Sequence, residues 1–415
     1  MEAIFLKGDD ALSRLQRLED QIAPFGEFLS AQLSSDYLAL YSRDAQRLHT
    51  MPPLGVVKPY SMDCIPTILS ICAELSVPVT RRCGGTGANG ACLPAQGGIV
   101  LLMGHLRRIL DFSQEDRCCT VEAGMTAGRL QRWLEPFDLS FPSTMVSREA
   151  AGFGASVATG ALQRQYYQGK SAIDFIDEVR IETSNRGASW VSPYQVAGAE
   201  GSNGIITALK LKLCRKPERD FWSSSHIDLK ELVHLPSTPT LSEAIYQDGQ
   251  LYLHFQGERW RLDTHPCAEV WPPPSLWERK KARTLHTVVG SALPSSRLHA
   301  ATERLEDLCR GHGLDLEWRY NILAGEIEFL LQCVEELPDF RLRIKSFLEH
   351  WTNALVAFKG SICSGYGLGQ LLSPYLPAFH SESSIGWLAG QRDPLLGTAN
   401  QHPIVGRCVE KELVQ

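Results

Sequence analysis

The chain has 415 residues, a formal net charge of -6, and is 44% hydrophobic and 21% charged, which describes an ordinary globular protein long enough for two or three domains with buried cores. The mildly acidic balance leaves no basic footprint for nucleic acid, and no apolar run approaches membrane-spanning length. Met1 to Asp10 lacks the basic start and long apolar core of a signal peptide.

In chain order, residues 1 to about 50 read as helical, with Leu12, Leu15 and Leu18 on one face and Pro24-Phe25-Gly26 as punctuation, before Met51-Pro52-Pro53 opens the next unit. After Ser61, the residues Ile65, Ile68, Leu69, Cys72 and Leu75 recur at helical spacing, and Val77-Pro78-Val79 is a short strand. The glycine-rich Arg82-Cys83-Gly84-Gly85-Thr86-Gly87-Ala88-Asn89-Gly90 follows. Glycines grouped after a strand let amide N–H groups crowd an anion, because no Cβ blocks positive φ or close approach. Gly98 to Met103 and Cys118 to Gly124 read as further strands. Gly85 to Gly90 fits the letters of the dinucleotide fingerprint, but it precedes a strand instead of opening a long helix, so a Rossmann fold is disfavoured; the Walker spacing is absent. A second glycine-rich stretch, Gly198-Ala199-Glu200-Gly201-Ser202-Asn203-Gly204-Ile205-Ile206-Thr207, has the same character.

Beyond it, Gln250 to Phe255 and Trp260-Arg261-Leu262 predict a hairpin, and Trp271 to Pro274 a stiff connector. Leu298 to Leu308 predicts a helix, followed by strand-like Leu314 to Leu323 and Gly325 to Leu330. His254 and His265 lack a partner spacing for metal. The twelve cysteines contain one adjacent pair, Cys118-Cys119, and no C-x-x-C, a pattern of free thiols in a reducing cytoplasm that argues against an iron–sulfur cluster.

The first glycine loop, Val121 to Thr126, Gly154 to Gly160 and the Gly198 to Thr207 segment resemble, in order and spacing, the FAD-binding domain of the vanillyl-alcohol oxidase (PCMH-type) flavoproteins, nearest the glycolate oxidase, D-lactate dehydrogenase and D-2-hydroxyglutarate dehydrogenase branch. The resemblance implies an α+β fold: a two-subdomain FAD-binding domain over 1–217, an α+β cap with an antiparallel sheet over 218–376, and a C-terminal segment, 377–415, returning to the FAD domain. It assigns the flavin contacts to Arg82, Cys83, Gly84, Gly85, Thr86, Gly87, Asn89 and Gly90, to Pro142 and Ser143, to Gly154, Ser156 and Thr159, and to Glu200, Gly201, Ile205 and Ile206. Cys83 replaces a family glycine, and Ser156 the usual asparagine. Thr86 stands where covalently flavinylated members often place histidine, so noncovalent FAD is expected. Glu200 is read as ordering its loop instead of moving a proton.

The resemblance weakens in the second half. The positions of the branch's metal-binding histidine pair fall on Ile322 and Glu328, while Gly365 replaces a metal-binding glutamate and Tyr366 the histidine base. No catalytic metal is expected. Tyr366 is the candidate base or hydrogen-bond donor, though an unperturbed phenol is a poor base at neutral pH, and a merely packed tyrosine is an equal reading. Arg279 is the candidate carboxylate clamp, set against a place on a solvated basic face; Arg319 and Lys359 are weaker candidates.

Three functions stay open: an FAD-dependent oxidoreductase of a small hydroxylated substrate, with 2-hydroxy acids the leading class; a flavin-bearing accessory subunit of a glycolate-oxidase-like complex; and a non-redox protein keeping the pocket for structure. The first two imply a small-molecule substrate, an electron-acceptor protein or a sister subunit, and a cytoplasmic location.

Overall fold

The protein is described here from a computed structural model covering residues 11–380, apart from 31–34, 96, 144–146, 168–169, 184–186, 218–219, 230–240, 257–267, 271–272, 274, 280, 282–283, 335–336 and 363–367. Among the described residues it builds three sheets of four or more strands, each with its own apolar core, and two short two-stranded ladders.

The first is a four-stranded sheet in the order Gly26–Ser30, Gly55–Pro59, Ile99–Leu102, Val79–Arg82. The three later strands run parallel, and Gly26–Ser30 pairs antiparallel at the edge. This corrects the expectation of a helical N-terminal segment: helix Ala11–Ile22 forms as its leucine pattern predicts, but the chain then turns into a strand. Helix Ile65–Glu74 buries Ile65, Ile68, Leu69 and Cys72 against this sheet, a spacing that lays one apolar stripe along one helix face. Each such burial contributes about 1.5–3 kcal/mol for the larger aliphatic side chains.

The second is a five-stranded antiparallel sheet, Gly187–Val191, Ile176–Thr183, Ile205–Lys212, Cys118–Glu122, Ile109–Ser113. Helix Ala127–Leu134 and helix Phe153–Ala158 share its core, the former started by Thr126, whose hydroxyl accepts from the Arg129 N–H.

The third, the cap sheet, has seven antiparallel strands in the order Ala268–Val270, Asp220–His226, Gln250–Gln256, Leu241–Gln247, Asp315–Asn321, Glu326–Cys333, Leu285–Ala292. Helices Leu298–Gly311 and Leu337–Ala357 cover one face, burying Leu305, Phe347 and Trp351 against Tyr320, Ile327 and Phe329. Strand Gln250–Gln256 has Leu241–Gln247 on one side and Asp220–His226 on the other; Trp260 to Leu262, expected to form a hairpin with it, lie outside the described residues. The described part of the C-terminal segment ends at His380. Among the described residues, no helix is long and apolar enough to cross a membrane.

Candidate flavin site

A cavity of about 1090 Å³ lies where the three sheets meet. Its floor is the loop leaving strand Val79–Arg82. Gly84 passes so close to the next segment that a Cβ there would stand 2.2 Å from the Ala150 carbonyl oxygen, and Gly85 turns at φ +66°. Gly87 is different: a Cβ there would meet nothing within 4 Å, since the residue opens on the cavity. The Arg82 guanidinium is fixed beside this loop, donating to the Arg43 carbonyl at 2.9 Å and to Cys92 Sγ at 3.4 Å, and lying 5.6 Å from the centre of the Tyr41 ring. A cradle without side chains next to a fixed cation suits a phosphate-bearing ligand.

Cys83 fits because Gly152 opposite has no side chain: a Cβ on Gly152 would lie 2.5 Å from Cys83 Sγ. Burial raises the Cys83 pKa and pushes that of Cys92 to about 11, so both line the cavity as neutral thiols.

Helix Phe153–Ala158 supplies a second wall. Gly154 lets it approach the sheet, where a Cβ would meet that of Ala123 at 2.7 Å, and Ser156 and Thr159 donate to the carbonyls of Gly152 and Ala155 at 3.0 and 3.1 Å. The third wall is the turn 198–206, with Gly198, Glu200 and Gly201 at φ +73°, +49° and +72°. Arg81 holds it from behind, donating to the Gly201 carbonyl at 2.6 Å and that of Glu200 at 3.3 Å, while the Glu200 carboxylate accepts from the Leu368 N–H. Glu200 is thereby engaged with backbone from the cap.

The cap sheet closes the cavity. Side chains alternate across a strand, so the face opposite the helices presents Trp222, Glu243, Ile245, His254, Arg319, Asn321, Glu326 and Glu328 to the cavity, while Ala244, Tyr246, Leu253, Phe255, Tyr320, Ile327 and Phe329 enter the core. Trp222 and His254, opposite each other in the register, stack at 4.7 Å with rings 13° apart. Arg319 and Glu328 are also register partners and form an ion pair at 2.5 Å, nearly withdrawn from solvent. Arg164 reaches across from the five-stranded unit to donate to the Ala324 carbonyl at 3.2 Å.

The structure gathers most of the sequence-derived contacts around one space: Arg82, Cys83, Gly84, Gly85, Thr86, Gly87, Ser143, Gly154, Ser156, Thr159, Glu200, Gly201, Ile205 and Ile206 all line it. Three do not. Asn89 and Gly90 lie beneath the floor, where the Asn89 carbonyl accepts from the Leu371 N–H at 3.1 Å and the Gly90 N–H donates to Asp44 Oδ2 at 2.8 Å; Pro142 leaves the lining to its neighbour Ser143. Arg279 is not among the lining residues either; its guanidinium is paired with Glu317 at 2.8 Å and with Asp248. Tyr366, like Gly365, lies outside the described residues. Ile322 packs with the cap core, so of the two positions matched to the histidine pair only Glu328 faces the cavity. The cap residues Trp222, Glu243 and Glu326 were missed; the polar-apolar alternation of Glu326-Ile327-Glu328-Phe329 was the available signal.

Residues 53–188 match the family model described as an FAD binding domain. The whole fold is similar to that of p-cresol methylhydroxylase solved with substrate bound, with a TM-score of 0.76 over 96% of this chain and 98% of that one, at 11% identity. Residues 53–188 thus carry an FAD binding domain. This flavin domain also has curated relatives: it is 31% identical over 192 residues to glycolate oxidase subunit GlcD of Bacillus subtilis, 43% of this chain and 41% of that protein. It is 27% identical over 190 residues to D-2-hydroxyglutarate dehydrogenase of Xanthomonas citri, 43% and 40% respectively. The matches thus span about two fifths of each relative's length. FAD fits the flavin domain's cavity: the bare glycine floor and Arg82 would hold the pyrophosphate, and the helix and turn walls would take the rest of the cofactor up to the cap.

Proposed function

We propose that the protein is an FAD-dependent oxidoreductase acting on a CH–OH group of a small molecule, with the flavin held noncovalently. The observation that carries this reading is the single cavity shared by the glycine-lined floor and a polar cap face, which leaves a compartment for a second, smaller molecule beyond the cofactor. Bound FAD would supply the acceptor for the hydride leaving the substrate carbon. The chain's own part is to orient the alcohol, exclude water and receive the hydroxyl proton. Among the described residues, His254, Glu243, Glu326 and Glu328 are titratable groups on the cap wall of the cavity, and Tyr366 is retained as a further proposed base. The hydroxy acids named among the curated relatives make 2-hydroxy acids the reference class for testing.

A second reading, an accessory flavin subunit, is supported by the relatives named as subunits and by the exchange of the branch's histidine and glutamate for Tyr366 and Gly365. The deciding experiment is the visible spectrum of the purified protein, followed by anaerobic addition of alcohols and of D- and L-2-hydroxy acids. Bleaching by any of these supports the oxidoreductase. A bound flavin reduced by dithionite but by none of them transfers the weight to the subunit reading.

A further inference from the structure

The glycine floor is braced by a stretch of chain that precedes strand Gly55–Pro59. Past helix Ser35–Ala39, residues 41–45 run along the loop from Arg82 to Gly90 and touch it at successive points. The Arg82 guanidinium lies 5.6 Å from the centre of the Tyr41 ring and donates to the Arg43 carbonyl at 2.9 Å. The Ala45 N–H donates to the Gly87 carbonyl at 3.3 Å, and the Gly90 N–H donates to Asp44 Oδ2 at 2.8 Å. Among the described residues that line the cavity, none belongs to this stretch. Its members are themselves anchored. The Tyr41 ring packs beside Leu38, Val56 and Val100, with its hydroxyl 3.0 Å from that of Tyr37, and Asp44 Oδ1 accepts from the N–H groups of Gln46 and Arg47 at 3.1 and 3.0 Å.

A glycine loop binds an anion well only when its amides are already aimed, since glycine has more backbone freedom to lose than any other residue. The same holds for arginine, whose long side chain costs rotamer entropy to fix. Here both are set before a ligand arrives. Gly85 leaves the guanidinium its place, since a Cβ there would stand 2.3 Å from Arg82 Nη2, and the Tyr41 ring attracts the cation to that place. We infer that Tyr41 and Asp44 are positioning residues for the diphosphate of FAD, Tyr41 by aiming the Arg82 guanidinium and Asp44 by fixing the far end of the loop. Both act through the loop and not by contact with the cofactor. The inference rests on the placement of the pyrophosphate on this loop.

FAD titration of the flavin-free protein, read by calorimetry and by the change in flavin fluorescence, tests it. Tyr41→Leu, or Tyr41→Met should leucine not fold, is expected to weaken FAD about tenfold, whereas Tyr41→Phe, which keeps the ring and loses the hydroxyl, should stay within about twofold of the parent. Arg82→Gln should weaken FAD by more than Tyr41→Leu does. On that background Tyr41→Leu should cost less than about twofold more, because the cation it aims is gone. Asp44→Asn gives up one acceptor oxygen, so it cannot serve Gly90 and the Gln46 and Arg47 amides together, and should weaken FAD about fivefold; Asp44→Ser replaces it if asparagine does not fold.

A tyrosine needed only for packing would give losses that add in the Arg82 cycle, or equal losses in the leucine and phenylalanine variants. Either result would overturn its role, as would unchanged affinity in Tyr41→Leu, and should Arg82→Gln not fold, the comparison of leucine with phenylalanine decides. Unchanged affinity in the Asp44 variant would remove Asp44. The placement beneath the inference is judged separately: Arg82→Gln with the parent's affinity would take the diphosphate off this loop, and a parent protein that binds no FAD would remove the cofactor along with it.

Discussion

At the residue scale, two glycines of one loop have opposite reasons to be glycine. Gly84 is fixed by the protein, since a Cβ would lie 2.2 Å from a backbone oxygen, while a Cβ at Gly87 would meet no described atom within 4 Å. Gly84→Ala is therefore expected to destabilise the stripped protein by about 1–3 kcal/mol, because backbone must shift to admit it. Gly87→Ala should leave the stripped protein within about 0.5 kcal/mol of the parent but weaken FAD about tenfold or more. Thermal unfolding of the flavin-free proteins and FAD titration separate the two effects. Unaltered FAD affinity in Gly87→Ala would remove the loop from the pyrophosphate site. Cys83 follows the same steric logic, its thiol occupying the room left by Gly152. A glycine lost at one position is thus matched by one kept in a distant segment, a relation visible only after folding.

At the scale of elements, the segment before the first parallel strand is a strap between units. Asp44 accepts from the Gly90 N–H under the flavin floor, while Gln46, two residues on, donates to the Val288 carbonyl at 2.6 Å and accepts from the Thr287 hydroxyl in the cap. Arg341 adds a bond to the Leu48 carbonyl at 2.5 Å. Gln46 is 4% exposed, so truncating it strands buried partners that water does not readily reach. Gln46→Ala is expected to cost about 2–3 kcal/mol in urea unfolding, the sum of lost bonds and unsatisfied groups. A loss under about 0.5 kcal/mol would show that the strap does not carry the contact. Sequence periodicity found the helices Ala11–Ile22, Ile65–Glu74 and Leu298–Gly311 because each carries an apolar stripe. It missed the edge strand Gly26–Ser30, whose Gly-Glu-Phe-Leu-Ser is too short for a period to declare itself.

At the scale of the molecule, the cofactor cavity takes its walls from both the flavin units and the cap, and the cap segment at Leu368 and Leu371 is bonded to Glu200 and Asn89 of the flavin loops. A ligand bound only by the folded state stabilises by mass action, about 2.7 kcal/mol at a hundredfold excess over its dissociation constant. Because the cavity joins the units, FAD should raise one common calorimetric transition. A trace in which only part of the unfolding heat moves with FAD would mean that the cap unfolds independently of the cofactor.

The sequence by itself determined the flavin half. Its glycine clusters are local and contiguous, so the resemblance they carry could assign Arg82 to Gly87, and Gly154, Ser156, Thr159, Glu200, Gly201, Ile205 and Ile206, along the chain, and these residues line one space. The tertiary structure alone decided the cap wall of the cavity. Glu243, His254, Arg319 and Glu326 come from four strands, each a polar position in its own alternating stretch, and only cross-strand register brings them to one face. The same packing pairs Arg279 with two carboxylates, Asp248 and Glu317, which reach it through the fold and not through the chain. Charge pairing at long sequence separation leaves no local pattern, and that is why the glycine-lined floor was legible and the cap wall was not.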